Sequence, residues 1–176
     1  MTKIVAGEWR GHPLPKLKTG TVRPTTDRAR TVLFDTLRDV RDMQVLDLYS
    51  GTGALGFEAL SRGAASLVSI DKNSSYIKAQ KEWMAQHERP FQAYAGHVST
   101  VLRNIDTQFD LILADPPYID VLSLNLLDLI GIHANRDALF VYESSRRESH
   151  QLEHQEFQLF KEKIVAETKI QIYKVH

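Results

Sequence analysis

From residue 44 onward, apolar and polar positions alternate in blocks whose period keeps changing. Short apolar runs predict strands over 45–49, 66–70, 91–95, 109–114 and 138–142. Between them, apolar residues spaced by three and four predict helices near 53–62, 74–87, 97–104 and 121–132. Tyr76, Ala79 and Trp83 are expected to share a face of the second helix, and Leu122, Leu126 and Leu129 a face of the last. The run Leu111-Ile112-Leu113-Ala114 has no polar alternation, as a parallel strand covered on both faces requires. Repeated strand–helix units predict an α/β fold, a doubly wound and mostly parallel sheet with right-handed crossovers. The chain then changes character: 157–160 and 169–175 have no long helix between them and predict a closing antiparallel hairpin.

The first forty residues read differently. Apolar positions 4, 5, 14 and 17 are interrupted by Gly7, Gly11, Pro13, Pro15 and Gly20, a pattern for a short hairpin or extended arm. Pro24-Thr25-Thr26-Asp27 marks a helix entry, with Thr or Asp able to cap free N–H groups, and the helix runs to about Arg38. The expected organisation is an arm and helix over 1–40 and the sheet domain over 41–176, with no linker or repeat dividing the latter.

Composition narrows the function classes. At 176 residues, 43% hydrophobic and 25% charged, the chain is long enough for one well-buried core. The absence of cysteine excludes disulfides and thiolate metal sites, and no metal is expected. The N-terminus lacks the apolar core of a secretory signal and no apolar run suits a membrane span, so a cytoplasmic protein is expected. Net charge is zero, yet residues 1–30 hold seven Lys/Arg against two acids, a net of +5, which leaves −5 on the remainder. A basic arm on an acidic body suits phosphate binding.

Val45 to Gly56 carries G-x-G-x-x-G at Gly51, Gly53 and Gly56, between a predicted strand and a predicted helix. Asp71 ends the next strand 20 residues after Gly51, where a carboxylate can bind ribose hydroxyls. The loop alone serves a nicotinamide dinucleotide as well as S-adenosylmethionine. Asp47 tilts the balance: an acid at the strand end can meet an ammonium group but would repel a pyrophosphate.

Asp115-Pro116-Pro117-Tyr118 directly follows the buried strand over 109–114. Ligands of open α/β sheets lie outside the carboxyl ends of the strands, so this loop faces the glycine loop. Two prolines remove two N–H donors and leave carbonyls free to accept. An Asp oxygen and a Pro carbonyl can then grip the two hydrogens of a flat –NH2 group, and Tyr118 offers a stacking face. Acceptors on both N–H bonds favour a nitrogen lone pair aimed at a methyl donor, and alignment supplies much of the acceleration.

These residues resemble the RsmD family of guanine-N2 methyltransferases of 16S ribosomal RNA. The likeness spans nearly the whole chain: Ile4-Val5-Ala6-Gly7-Glu8-Trp9-Arg10-Gly11, Arg23-Pro24-Thr25-Thr26-Asp27-Arg28-Ala29-Arg30, Leu33-Phe34, the Asp47–Gly56 loop, Glu58-Ala59-Leu60-Ser61-Arg62-Gly63-Ala64, and Asp115 to Tyr118. The resemblance implies a Rossmann-like class I fold with a seven-stranded sheet, and S-adenosylmethionine held by Asp47, Gly51, Gly53 and Asp71. It implies that Asp115, Pro116, Pro117 and Tyr118 hold the guanine amino group, and that the basic arm contacts RNA. Arg10, Arg23, Arg28 and Arg30 are the candidate phosphate contacts; Trp9 is either a stacking residue or a hairpin core residue. The expected partner is 16S ribosomal RNA or a small-subunit assembly intermediate, and nothing demands more than a monomer.

The chain departs from the family at two positions. His97 stands where many relatives carry Asp or Asn against adenine, and Asp35 follows Leu-Phe where Asn is frequent. A neutral imidazole nitrogen can accept the adenine bond, or His97 can simply begin a helix. Three other functions compete: adenine-N6 methylation, which the same loop could perform, a nicotinamide oxidoreductase, and a non-catalytic RNA-binding module.

Overall fold

A computed structural model describes residues 2–15, 26–117, 122–148 and 152–176. Its elements run α1 (Asp27–Leu37), β1 (Gln44–Leu48), α2 (Ala54–Ser61), β2 (Ser66–Asp71), α3 (Ser74–Met84), β3 (Phe91–Ala95) and α4 (Val98–Leu102). They continue with β4 (Phe109–Ala114), α5 (Leu124–Ile132), β5 (Ala134–Ser145), β6 (Phe157–Val165) and β7 (Thr168–Val175). The seven-stranded sheet has the order β3-β2-β1-β4-β5-β7-β6. Strands β1 to β5 pair in parallel, while β7 runs antiparallel to both β5 and β6. The order reverses between β1 and β4, and this switch point opens a crevice at their carboxyl ends.

Two apolar clusters cover the two faces of the sheet. One joins Leu33, Phe34, Val45, Phe57, Leu60, Leu111 and Val141, placing α1, α2 and α3 on that side. The other joins Leu46, Ile70, Ile112, Leu127, Ile130 and Phe140 under α4 and α5. The unbroken apolar run of β4 supplies side chains to both, as a doubly covered parallel strand should.

Local chemistry sets the helix ends. Thr26 caps α1 by accepting the Ala29 N–H at 3.2 Å, and Ser123 caps α5 by accepting the Leu126 N–H. The buried face of α3 is Tyr76, Ile77, Gln80 and Met84, one position round from the expected stripe, so Ala79 and Trp83 flank it. Strand β5 is much longer than the predicted 138–142. It begins directly after α5 and kinks where Asp137 takes φ 65°, which offsets its register against β4.

Residues 2–15 fold back on themselves, with a Lys3–Pro13 bridge and bonds from Ile4 N to His12 O and Gly11 N to Ile4 O. They dock along α2. Glu58, fully buried, accepts the Val5 and Ala6 N–H groups at 2.7 and 2.9 Å. Ser61 accepts Glu8 N with its carbonyl and Trp9 N with its hydroxyl, and that hydroxyl donates to Ala6 O. Gly7 has φ 85°, and a Cβ there would lie 1.9 Å from the Ser61 carbonyl oxygen. The two motifs Ile4–Gly11 and Glu58–Ala64 are thus the two halves of one contact. Trp9 is 5% exposed and meets Trp83 edge-on, so it is a core residue and not a stacking platform.

Candidate active site

The site is assembled by strand register. Leu48 pairs with Ile70 on one side and Ala114 on the other, and Asp71 pairs with Ala95. The glycine loop, Asp71, His97 and the Asp115 loop therefore all emerge at one edge of the sheet. The loop after β1 turns tightly: Tyr49, Gly51 and Gly53 take φ of 58°, 52° and 82°. Glycine meets that demand at low cost. Gly53 is also the N-cap of α2, where a Cβ would strike the Phe57 ring at 2.7 Å. At Gly56 a Cβ would meet Leu67 at 2.7 Å and the Asp47 carboxylate at 2.9 Å, so this third glycine lets helix, strand and acid pack together.

Two further carboxylates lie close enough to act on Asp47. Asp47, 2% exposed, accepts the Gly56 N–H at 3.0 Å. Burial pushes its carboxyl up to about 8, against that hydrogen bond, and the charges of Asp115 and Asp71 push in the same direction. Asp71 accepts Gly51 N at 2.8 Å and Asn73 N at 2.8 Å, which fixes its carboxylate against the glycine loop. Asp115 is half-buried, Pro116 is buried and Pro117 is exposed. Tyr118 lies outside the described residues. His97 is exposed at the N-cap position of α4 and makes no side-chain capping bond.

Sequence reasoning missed Gln80. Its buried side-chain amide reaches from α3 to donate to Ser50 Oγ at 2.9 Å and to Gly51 O at 2.8 Å, holding the glycine loop from behind. A polar residue on the apolar stripe of a helix was the signal. Tyr142 was also missed. It pairs with Ala114 on β5, and burial, then the charge of Glu148, push its hydroxyl up to about 12.

The predicted basic residues separate. Arg30 is corrected: it is fully buried, pairs with Asp27 at 2.7 Å and donates to Lys3 O. Burial pulls its guanidinium below the usual value against the charges of Asp27, Glu58 and Glu143. It fastens the N-terminal segment to α1 and has no face left for a phosphate. Arg10 is exposed, but its neighbours Glu8 and Trp9 bond Ser61 at the C-terminal end of α2, the end away from the glycine loop. Arg28 is exposed in the first turn of α1. Late residues of α1 meet the end of α2, where Arg62 lies over Phe34 and 3.9 Å from Asp35, so the first turn of α1 lies at the other end of the helix from that contact. Arg23 lies outside the described residues. Among those described, no cluster of His, Asp or Glu could hold a metal ion, and no helix is long and apolar enough to cross a membrane.

A family model described as conserved hypothetical protein 95 matches residues 2–174. The ribosomal RNA small subunit methyltransferase D of Escherichia coli K12 is 34% identical over 97% of this chain and 88% of its own length. The chain belongs to the RsmD family. The methyltransferase D of Haemophilus influenzae is 33% identical over 66% of this chain and 63% of that protein. Among solved structures, a methyltransferase of Escherichia coli, yhhF, superposes with a TM-score of 0.86 at 28% identity, covering 99% of this chain and 98% of the other. A Thermus protein at 24% identity, with a TM-score of 0.81, shares the fold over 99% of this chain and 100% of its own. The Rossmann-like methyltransferase architecture expected of this RsmD-family chain is the one observed, including the closing hairpin.

Proposed function

We propose that the protein is an S-adenosylmethionine-dependent methyltransferase that modifies the exocyclic N2 of a guanine in 16S ribosomal RNA. The observation that carries this reading is the register of β1 beside β4, which sets the glycine loop and Asp115-Pro116 side by side at the switch point. Family membership supports ribosomal RNA of the small subunit as the substrate class.

The donor set fits this cofactor. A buried carboxylate pushed up to about 8 by burial, with two further acids near it, is a site short of positive charge. S-adenosylmethionine brings an ammonium and a sulfonium; a dinucleotide brings a pyrophosphate that the same acids would repel. Asp47 would take the ammonium side, Gly51 and Gly53 would admit the cofactor to the main chain, and Asp71 would accept from the ribose. His97, at the end of β3, would accept from the adenine amino group. The cofactor would supply an electrophilic methyl group, leaving as a neutral thioether when its S–CH3 bond breaks.

The remaining chemistry belongs to the chain. The Asp115 carboxylate and the Pro116 carbonyl each accept one N–H of the base amino group, which frees the nitrogen lone pair from the ring. Pro117 has no N–H and stiffens the turn. Tyr118 stacks on a base that has left its helix. As the nitrogen gains a methyl carbon it becomes cationic, and the negative Asp115 stabilises that charge. The surplus N–H proton then passes to an Asp115 carboxylate oxygen. RNA contact is assigned to the first forty residues through Arg23 and Arg28, with Arg10 reaching only a remote part of the same RNA; Arg30 is withdrawn from that role.

Mass spectrometry of 16S RNA from a deletion strain tests the assignment. N2-methylguanine at one position should vanish and return with the wild-type gene. Unchanged N2-methylguanine together with lost N6-methyladenine would transfer the reading to adenine. Titration calorimetry should detect S-adenosylhomocysteine and no NADH; the reverse would point to an oxidoreductase.

A further inference from the structure

The grip on an amino group does not by itself tell guanine from adenine. Their adjacent ring positions do: N1 of guanine carries a proton, whereas N1 of adenine carries a lone pair. An ionised carboxylate only accepts hydrogen bonds, so a carboxylate beside the grip would welcome guanine and repel adenine.

Glu148 lies in the turn that follows β5, the strand next to the one that leads into Asp115. Strand β5 lies beside β4 with Tyr142 opposite Ala114, so the turn that follows β5 flanks Asp115. That turn is held on several sides. Arg146 N donates to Glu167 O at 2.8 Å, Glu148 N to Ser145 O at 2.9 Å, and Lys169 Nζ to Glu148 O. Residues 152–154 lie on the α5 side of the sheet, where Leu152 N donates to the Tyr173 hydroxyl and His154 meets Asp128 on α5. This is also the face that Tyr142 and Leu122 share, and Leu122 follows the catalytic loop closely.

The Glu148 side chain is half-buried, and its Oε2 is buried with no hydrogen-bond partner. A carboxylate oxygen removed from water without a donor is costly, and a ligand N–H would relieve it. The charges of Glu148 and Asp115 both act on the Tyr142 hydroxyl, so both acids lie near that phenol. We propose that Glu148 selects guanine, its carboxylate accepting the N1–H of the base whose amino group is held at Asp115 and Pro116. This rests on the guanine-N2 reading given above.

The test uses Glu148→Gln with Glu148→Ala as a second variant, assayed on small-subunit RNA. The RNA carries guanine, adenine or 2-aminopurine at the position that the wild type modifies. 2-Aminopurine keeps the amino group at C2 but has a lone pair at N1. Wild type should prefer guanine over 2-aminopurine by about tenfold to a hundredfold in kcat/KM, the size of one base-reading hydrogen-bond set. Glu148→Gln, whose amide can donate, should narrow or reverse that ratio, and Glu148→Ala should flatten it. Ratios taken on one enzyme preparation cancel any loss of folded protein. An unchanged ratio in both variants overturns the role of Glu148. Transfer by the wild type to adenine and not to guanine overturns instead the reading on which it rests.

Discussion

The two ends of the sheet use their polar groups in opposite ways. At the amino end, where residues 2–15 dock, the buried polar groups are satisfied by the protein itself. Glu58 takes two main-chain N–H groups and Arg62, and Ser61 both donates and accepts. At the carboxyl end, Asp47 is buried beside other acids, and Glu148 keeps an oxygen without a donor. Closed networks hold a fold together, whereas an acid short of donors is a candidate for meeting a ligand. On the reading proposed above, the same residue types, Asp and Glu, serve structure at one end and ligand recognition at the other.

The contrast can be broken from either side, and the largest effect is expected at the Asp115 loop. Asp115→Ala should lower kcat by about a hundredfold to a thousandfold, the cost of losing one preorganised electrostatic partner of a transition state. Affinity for S-adenosylhomocysteine should stay within a few-fold, and equal losses in both would mean a collapsed site. Next comes Gly7→Ala. A methyl group forced against the Ser61 carbonyl should cost about 3 kcal/mol and lower the melting temperature by about 10 °C. Leaving the melting temperature unmoved would show that this docking contributes little.

Asp47→Asn should act with opposite signs in the two settings. Cofactor binding should weaken strongly, while the free variant should gain stability relative to wild type as pH rises. Burial lifts Asp47 to about 8, whereas an unfolded Asp titrates near ~3.9. Between those values the folded chain holds a proton that the unfolded chain has released. The contribution of Asp47 is thus full below the unfolded value and is lost as pH rises toward 8. Urea melts at pH 5 and pH 8 should find the advantage of the variant growing with pH; a constant difference would contradict the burial argument. The smallest effect is expected at Arg28→Ala: RNA binding weaker at all sequences, with a salt slope reduced by about 1. If the slope is unchanged, the first turn of α1 carries no phosphate contact.

Much of the fold was legible because its signals are local. The period changes after residue 44 located β1 to β4 to within about a residue at each end, and the glycine spacing located the turn that opens α2, whereas β5 and β6 ran past their expected ends. Failures came where a partner distant in the chain decides. The stripe on α3 turned out rotated because Gln80 is drawn inward by Ser50 and Gly51, far back along the chain. Strand β5 outgrew its apolar run because Ala134 pairs with Phe109 of β4 at its start and β7 pairs with it as far as Ser145.

By itself the sequence determined the α/β class, the glycine loop, the place of the Asp-Pro-Pro segment after β4 and the family, all of which rest on spacing between near neighbours. Only the tertiary structure decided which charges are neutralised and which remain available. Arg30 and Arg28 are two residues apart in the same helix. One is enclosed by Asp27 and the Lys3 carbonyl, and the other faces outward. Glu58 and Glu148 are the same amino acid, and packing supplied one with donors and left an oxygen of the other without any. Charge is written in the chain, but whether it is neutralised depends on what folds against it.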